Sequence, residues 1–168
     1  MPITQDILAS VILPTAARLK VHKITVSPAA EAMLLAIGLQ ESALTHRYQV
    51  LSGGRKGPAR GLWQFERGGG VKGVLTHPAT TIVANIFASY HAGTAELGAV
   101  HARLEYDDIL ACAFARFLLY SDPRPLPQPA NESQAVAWEY YLRTWRPGKP
   151  HPETWPANWQ AALNTINR

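Results

Sequence analysis

At 168 residues, with 47% hydrophobic and 17% charged residues and five tryptophans, the chain can bury a full core and is too apolar for disorder, so one domain spanning residues 1–168 is expected. The 16 Lys and Arg against 12 Asp and Glu leave a net +4, which favours anionic partners such as cell-wall polymer, a lipopolysaccharide surface or nucleic acid without choosing among them. No apolar run approaches the roughly 18 to 20 residues of a membrane span, and Asp6 stands where a secretory leader carries basic residues, so synthesis in the cytoplasm with no signal peptide and no transmembrane segment is expected.

In chain order the pattern is mostly helical. Thr4 can cap a first helix that Pro14 interrupts or kinks. Ser27-Pro28 supplies an N-cap and a first-turn proline for a second helix, expected to run to about Glu41. Residues 46–73, HRYQVLSGGRKGPARGLWQFERGGGVKG, hold eight glycines in 28 residues around two β-friendly pieces, Tyr48 to Leu51 and Leu62 to Phe65. They predict a small hairpin-like lobe with mobile turns. From Pro78 onward ATTIVANIFASYHAG, AELGAVHARL and YDDILACAFARFLLY are periodic enough for two or three more helices, the expected source of the core. Eight of the 13 prolines fall between 123 and 156, flanking a helix around Glu132 to Trp145, and a last helix follows Pro156. This C-terminal third is expected to wrap the rest. The expected fold class is mainly α, a helical core with a small Gly-rich β-hairpin lobe.

Several chemistry-bearing patterns reduce to structure. GGGVKG (68–73) matches a dinucleotide-binding fingerprint in form, but no strong buried strand precedes it and Pro78 cuts short the helix that should follow. GGRKGPARG lacks the ending of a phosphate loop and reads as a flexible basic turn. A single cysteine excludes an internal disulfide framework and a cysteine-rich zinc site, and Cys112, within ILACAFARFLL, reads as buried and inert. His91, Glu96 and His101 have the composition of metal ligands, but helical steps of five residues rotate each about 140° from the last, so no metal is expected there. Asp107-Asp108 reads as a helix cap. Trp138 and Trp145, seven apart, and Trp155 and Trp159, four apart, have packing periodicity. Nucleic acid is not an expected partner, because the basic residues are scattered without interleaved aromatics.

Glu41 stands apart. It continues the apolar stripe of Leu34 and Ile37, with Gly38 leaving room beside it, at the helix end where the dipole disfavours an anion. Burial and dipole both raise a carboxyl pKa, the condition for a general acid near neutral pH. The alternative is a frayed helix end, or an ion pair with Arg47.

Gln40-Glu41-Ser42, followed after about 18 residues by Gly61-Leu62-Trp63-Gln64-Phe65, resembles the paired signature of the lysozyme-like lytic transglycosylases, a helix-ending E-S and a G-L-[MW]-Q-[FL] turn. Asn85-Ile86 is similar to that family's N-I-x-x-G helix, although Ser89 stands at the glycine. The family's A-Y-N-A-G turn is missing, and Tyr120-Ser121-Asp122-Pro123 is the nearest stand-in. GLWQFERGGG, FLLYSDPRPLP and YYLRTWRPGKPH also resemble small phage- or prophage-encoded members of this superfamily.

The resemblance implies a lysozyme-like fold and cleavage of the β-1,4 bond between N-acetylmuramic acid and N-acetylglucosamine in peptidoglycan glycan strands, with no cofactor. It places Glu41 as the acid that protonates the leaving oxygen and then deprotonates the muramoyl 6-hydroxyl to close a 1,6-anhydro ring. A lysozyme-type hydrolase would add a second carboxylate, for which Glu66 is available unless it merely pairs with Arg67 on a wet turn. Ser42 matches a position that orients the acid or the substrate's N-acetyl group, or else bonds its own helix backbone. Gly61, Gln64 and Phe65 match the turn lining the cleft, and Trp63 is either a sugar platform or core. Tyr90 and Tyr120 are the candidate hydrogen-bond partners of the acid. A phage enzyme of this kind would be made in the host cytoplasm and act on the wall after release or as a virion component, with a monomer as the default state. A rival from another class is a non-catalytic virion or wall-binding module docking through Arg55, Lys56, Arg60, Arg67 and Lys72.

Overall fold

Packing overrides local sequence rules from the first helix onward. The computed structural model describes residues 1–167. Helix α1 (Ile3–Ile7), a π-helical turn (Leu8–Ile12) and α2 (Leu13–Lys20) follow one another without leaving helical dihedrals. Pro14 therefore does not break the helix. Its ring supplies no N–H, and the wider turn upstream absorbs the misfit while Ile7, Leu8, Val11 and Ile12 stay buried. Thr4 lies inside α1 and makes no cap; its buried hydroxyl instead accepts a 2.7 Å hydrogen bond from Thr165 in the last helix.

Helix α3 (Pro28–Ser42) starts as the sequence predicts, with Ser27 Oγ accepting from the Ala30 N–H at 3.3 Å and Pro28 in the first turn. Its whole middle, Ala32 to Gly38, is buried, which makes it the central helix. It ends where Ala43 and Leu44 both turn left-handed, with φ of 54°. The Leu44 N–H then reaches back to the Gly38 carbonyl at 3.2 Å. The Leu44 side chain folds over Gly38 so closely that no Cβ fits there, and Trp63 Nε1 would lie 3.4 Å from it. The space beside Gly38 is thus filled by protein.

The hairpin pairs β1 (Tyr48–Val50) with β2 (Lys56–Arg60), antiparallel, with Tyr48 opposite Arg60 and Val50 opposite Lys56. The second strand lies in the stretch expected to be a flexible turn, and Leu62 to Phe65 is a tight turn closed by paired backbone bonds between Arg60 and Phe65. A strand would alternate its side chains between two faces, whereas the turn sends Leu62, Trp63 and Phe65 all inward. The glycine run is also more ordered than expected: Arg67–Val71 forms a π-helical turn that leads into α4 (Lys72–Thr76). Val71, Val74 and Leu75 recur at helical spacing, and burying them outweighs the poor propensity of three glycines.

Helices α5 (Thr81–Ala92), α6 (Leu97–Arg103) and α7 (Asp108–Ser121) supply much of the core, and α7 is buried almost throughout. Asp107 caps α7 by accepting from the Leu110 N–H at 2.9 Å. Cys112 is buried, and burial pushes its thiol up to about 12, so it is inert. Helices α8 (Gln134–Trp145) and α9 (Trp155–Ile166) complete the chain, and α9 lies along α3. The architecture is mainly helical with one small two-stranded antiparallel sheet. Among the described residues no helix is long and apolar enough to cross a membrane.

Candidate active site

Gln40, Glu41 and Ser42 end α3, and each is bound to a different part of the chain. Gln40 reaches the C-terminal segment: its Nε2 donates to the His151 carbonyl at 2.9 Å, and its Oε1 accepts from Thr154 at 3.0 Å and Asn158 at 2.8 Å. Ser42 reaches the Gly61–Phe65 turn, with its hydroxyl 2.6 Å from the Leu62 carbonyl oxygen and 3.2 Å from that of Gly38. Glu41 reaches α8, where Tyr141 donates its O–H to Oε1 at 2.7 Å. The two motifs of the sequence are thereby joined through Ser42, and the acid sits between them and the C-terminal wrap.

The setting of Glu41 disfavours its charge. It is partly buried, has no ion pair among the described residues, and lies one residue from the C-terminal end of α3. Burial pushes its pKa from 4.5 up to about 7, and the negative charge of Glu66 adds to the rise. Tyr141 opposes it, because an O–H donated to the carboxylate favours the ionised form. Tyr141 itself is buried and its own pKa is raised, first by that burial and then by the Glu41 charge, so it remains a donor. Its ring stacks on Trp155 at 5.3 Å and 12° and tilts against Trp138 at 5.3 Å. Trp155 in turn stacks on Trp159 at 6.2 Å. Trp155 and Trp159 are core, as their spacing predicts, while Trp138 and Trp145 are partly buried and pack against it; this aromatic cluster also seats the tyrosine that holds the acid.

The partner of the acid is therefore Tyr141, not Tyr90 or Tyr120. Tyr90 is 83% exposed on α5 and lines a hollow with Arg18, Val21, His22 and Ile86. Tyr120 lies over Arg116, with its ring centroid 5.4 Å from the guanidinium carbon, in a second hollow. Neither hollow is lined by Glu41. The ion pair between Glu41 and Arg47 does not form either, because Arg47 is taken by Asp108 at 2.6 Å.

The turn residues act mostly from within. Trp63 is fully buried, and its Nε1 donates to the Leu34 carbonyl at 2.9 Å, so it offers no face to a sugar. Phe65 is buried edge-on against Phe114 at 6.4 Å. Gly61 has φ of 77°, and a Cβ there would lie 2.9 Å from the Leu104 carbonyl oxygen; the close approach it permits is to the protein's own backbone. Gln64 is partly exposed with φ of 50°, its amide donating to the Gly61 carbonyl at 2.9 Å and the His46 carbonyl at 3.2 Å. Of this motif only Gln64 is positioned to touch a ligand. Glu66 is exposed at the start of the following turn, while Arg67 faces Glu96 at 3.8 Å.

The histidines are engaged separately. His91 Nδ1 lies 2.9 Å from Asp107, His101 Nε2 lies 3.1 Å from the Phe65 carbonyl oxygen, and Glu96 caps α6. Among the docking cations, Lys56 and Arg60 both bind Glu105, at 2.6 and 3.1 Å.

Sequence reasoning missed Tyr141 by following the stand-in turn after α7. The signal was present in AWEYYLRTW: Trp138, Tyr141 and Trp145 share one helical stripe. No protein-family model, curated protein or solved structure matches this chain.

Proposed function

We propose that the protein is a lysozyme-like peptidoglycan glycosidase, of lytic transglycosylase type, with Glu41 as its general acid and base. The observation that carries this reading is Glu41 itself, a partly buried carboxyl pushed up to about 7, held by Tyr141 and, among the described residues, without a cationic partner. Such a group holds a proton near neutral pH and remains strong enough to give it up. Glu41 donates its proton to the glycosidic oxygen as the bond from the muramoyl C1 to that oxygen breaks. Its carboxylate then takes the proton of the 6-hydroxyl as that oxygen bonds C1, which restores the starting acid and leaves a 1,6-anhydro end. Tyr141 fixes the carboxyl orientation and stabilises the charge that appears between the two steps. Ser42 and Gln40 are positioning residues that lock the end of α3 between the turn and the C-terminal segment.

One observation keeps a hydrolase route as the second reading: the exposed Glu66 lies near enough for its charge to act on Glu41. A muramidase would use it to activate or replace water. The wall-binding alternative is weakened by the commitment of Lys56 and Arg60 to Glu105, which removes two cations from the docking set.

Digestion of purified murein, with masses of the released fragments, tests the proposal. Anhydro-ended muropeptides are expected. Reducing ends would shift the assignment to the hydrolase, and binding to murein without any released fragment would reject catalysis.

A further inference from the structure

Arg116, on α7, is 6% exposed, yet among the described residues it has no ion pair. Its Nε donates to the Thr25 carbonyl at 2.9 Å, and neither Nη1 nor Nη2 donates to a protein acceptor among the described residues. The side chain lines a hollow of about 320 Å³ together with Tyr120, Asp122, Arg124, Leu126 and Tyr140. The Asp122 carboxylate and the Tyr140 hydroxyl of the hollow are occupied. Asp122 accepts from Arg143 at 2.7 Å and from the Arg124 N–H at 2.9 Å, and the Tyr140 O–H donates to the Leu119 carbonyl at 3.0 Å. The Tyr120 ring covers the guanidinium from one side.

A desolvated cation without a counter-charge is unfavourable, and an anion that enters the hollow relieves it. We propose that this hollow binds a monoanionic carboxylate bearing a small apolar group, such as the C-terminus of a short peptide, seated end-on against Nη1 and Nη2 of Arg116. With Nε held by Thr25, those two nitrogens form the donor fork that matches the two oxygens of a carboxylate. A phosphate dianion fits less well, since one desolvated guanidinium faces it, Arg124 stands only at the exposed rim, and Asp122 repels it. Leu126, Pro123 and the tyrosine rings provide an apolar wall for a methyl-sized substituent. The site is built from α7, α8 and the segment between them, so it stands or falls apart from the chemistry assigned to Glu41.

Titration of the isotope-labelled full chain with N-acetylalanine, followed by NMR, tests the site. Saturable shifts are expected at the Arg116 Nε–H and the amides of Tyr120 to Arg124, with a millimolar Kd, and no response to N-acetylalanine amide. Arg116→Lys should weaken binding by about tenfold, because an ammonium cannot form the fork. Since Arg116 also anchors Thr25, Arg124→Gln provides a variant at the rim that leaves the core intact, with Kd expected to rise about threefold at low salt. Absence of saturation, an equal response to the amide, tighter binding of inorganic phosphate at matched ionic strength, or an Arg124→Gln Kd equal to that of the wild type would each overturn the assignment.

Discussion

Glu41 and Glu105 are carboxylates drawn out of water by the same fold, and their neighbours send them in opposite directions. Glu105 is 7% exposed, and burial alone would raise its pKa, but Lys56 and Arg60 at 2.6 and 3.1 Å hold it below the usual carboxylate range. Among the described residues Glu41 meets no cation, only a phenol and the negative end of a helix, and burial takes it up to about 7. Glu105 ties the second strand of the hairpin to the loop between α6 and α7. Glu41 ties α3 to α8 through the single Tyr141 hydrogen bond, while Gln40 and Ser42 fasten the same helix end elsewhere. A buried acid with two cations is held ionised, and one left with a neutral donor keeps its proton to higher pH, the condition the proposed acid role requires.

The largest effect expected from breaking this contrast is on Glu41. Glu41→Gln should lower murein clearing by about 1000-fold while leaving the circular dichroism unchanged, because the amide still accepts the Tyr141 O–H. An active variant would remove the central claim. The same substitution should also stabilise the fold in one pH window. Below pH 4.5 the folded and unfolded states both hold the Glu41 proton; between 4.5 and about 7 only the folded state holds it, so stability falls as pH rises and levels off above about 7. That gap corresponds to as much as about 3 kcal/mol, and Glu41→Gln escapes it. Its melting temperature should exceed that of the wild type at about pH 8 and match it at about pH 4.

Tyr141→Phe comes next. The ring stack on Trp155 survives, but the donated hydrogen bond is lost, and Glu41 should rise by up to about one further unit. Activity needs the protonated acid, so its alkaline limb should move to higher pH while the rate at the optimum falls about tenfold through loss of orientation. A pH profile that keeps its limb would reduce Tyr141 to a packing residue.

On the opposite side of the comparison, Arg60→Met leaves Glu105 with the half-exposed Lys56 alone and should cost about 1 to 2 kcal/mol in denaturant unfolding. Clearing per folded molecule and the pH limb of Glu41 should not change. A shifted limb would show that the two carboxylates are coupled.

What the sequence discloses about this contrast is uneven, and the reason is sequence distance. Ser27, Pro28 and the apolar stripe leading to Glu41 act within a few residues, so the central helix and its misplaced acid are legible from pattern. Cys112 and the spaced tryptophans are legible for the same reason. Lys56-Gly57-Pro58-Ala59-Arg60 has poor strand propensity, and it reads as a loop because the carboxylate that holds it lies in a distant segment. The stripe that Tyr141 shares with Trp138 and Trp145 marks it as inward-facing, but its pairing with Glu41, across 100 residues of chain, is invisible to local reasoning. Trp63 shows the limit of motif matching: its place in GLWQF leaves sugar platform and core equally open, and its fully buried indole, bonded to the Leu34 carbonyl, decides for core.

The smallest expected effect is the one that separates the two routes of cleavage. Glu66 is exposed, and its charge contributes the least of the named influences on Glu41. Glu66→Gln should therefore lower the Glu41 pKa by only a few tenths and shift the alkaline limb slightly downward, since removing a like charge eases ionisation. In a transglycosylase no second carboxylate takes part, so the rate should change by less than about threefold and the anhydro ends should persist. In a hydrolase Glu66 would activate water or form the glycosyl bond, and its loss would lower the rate by about 100-fold or more. The separation is therefore read from a substitution that barely perturbs the acid itself, and a collapse in rate without a large movement of the limb would identify Glu66 as the second catalytic carboxylate.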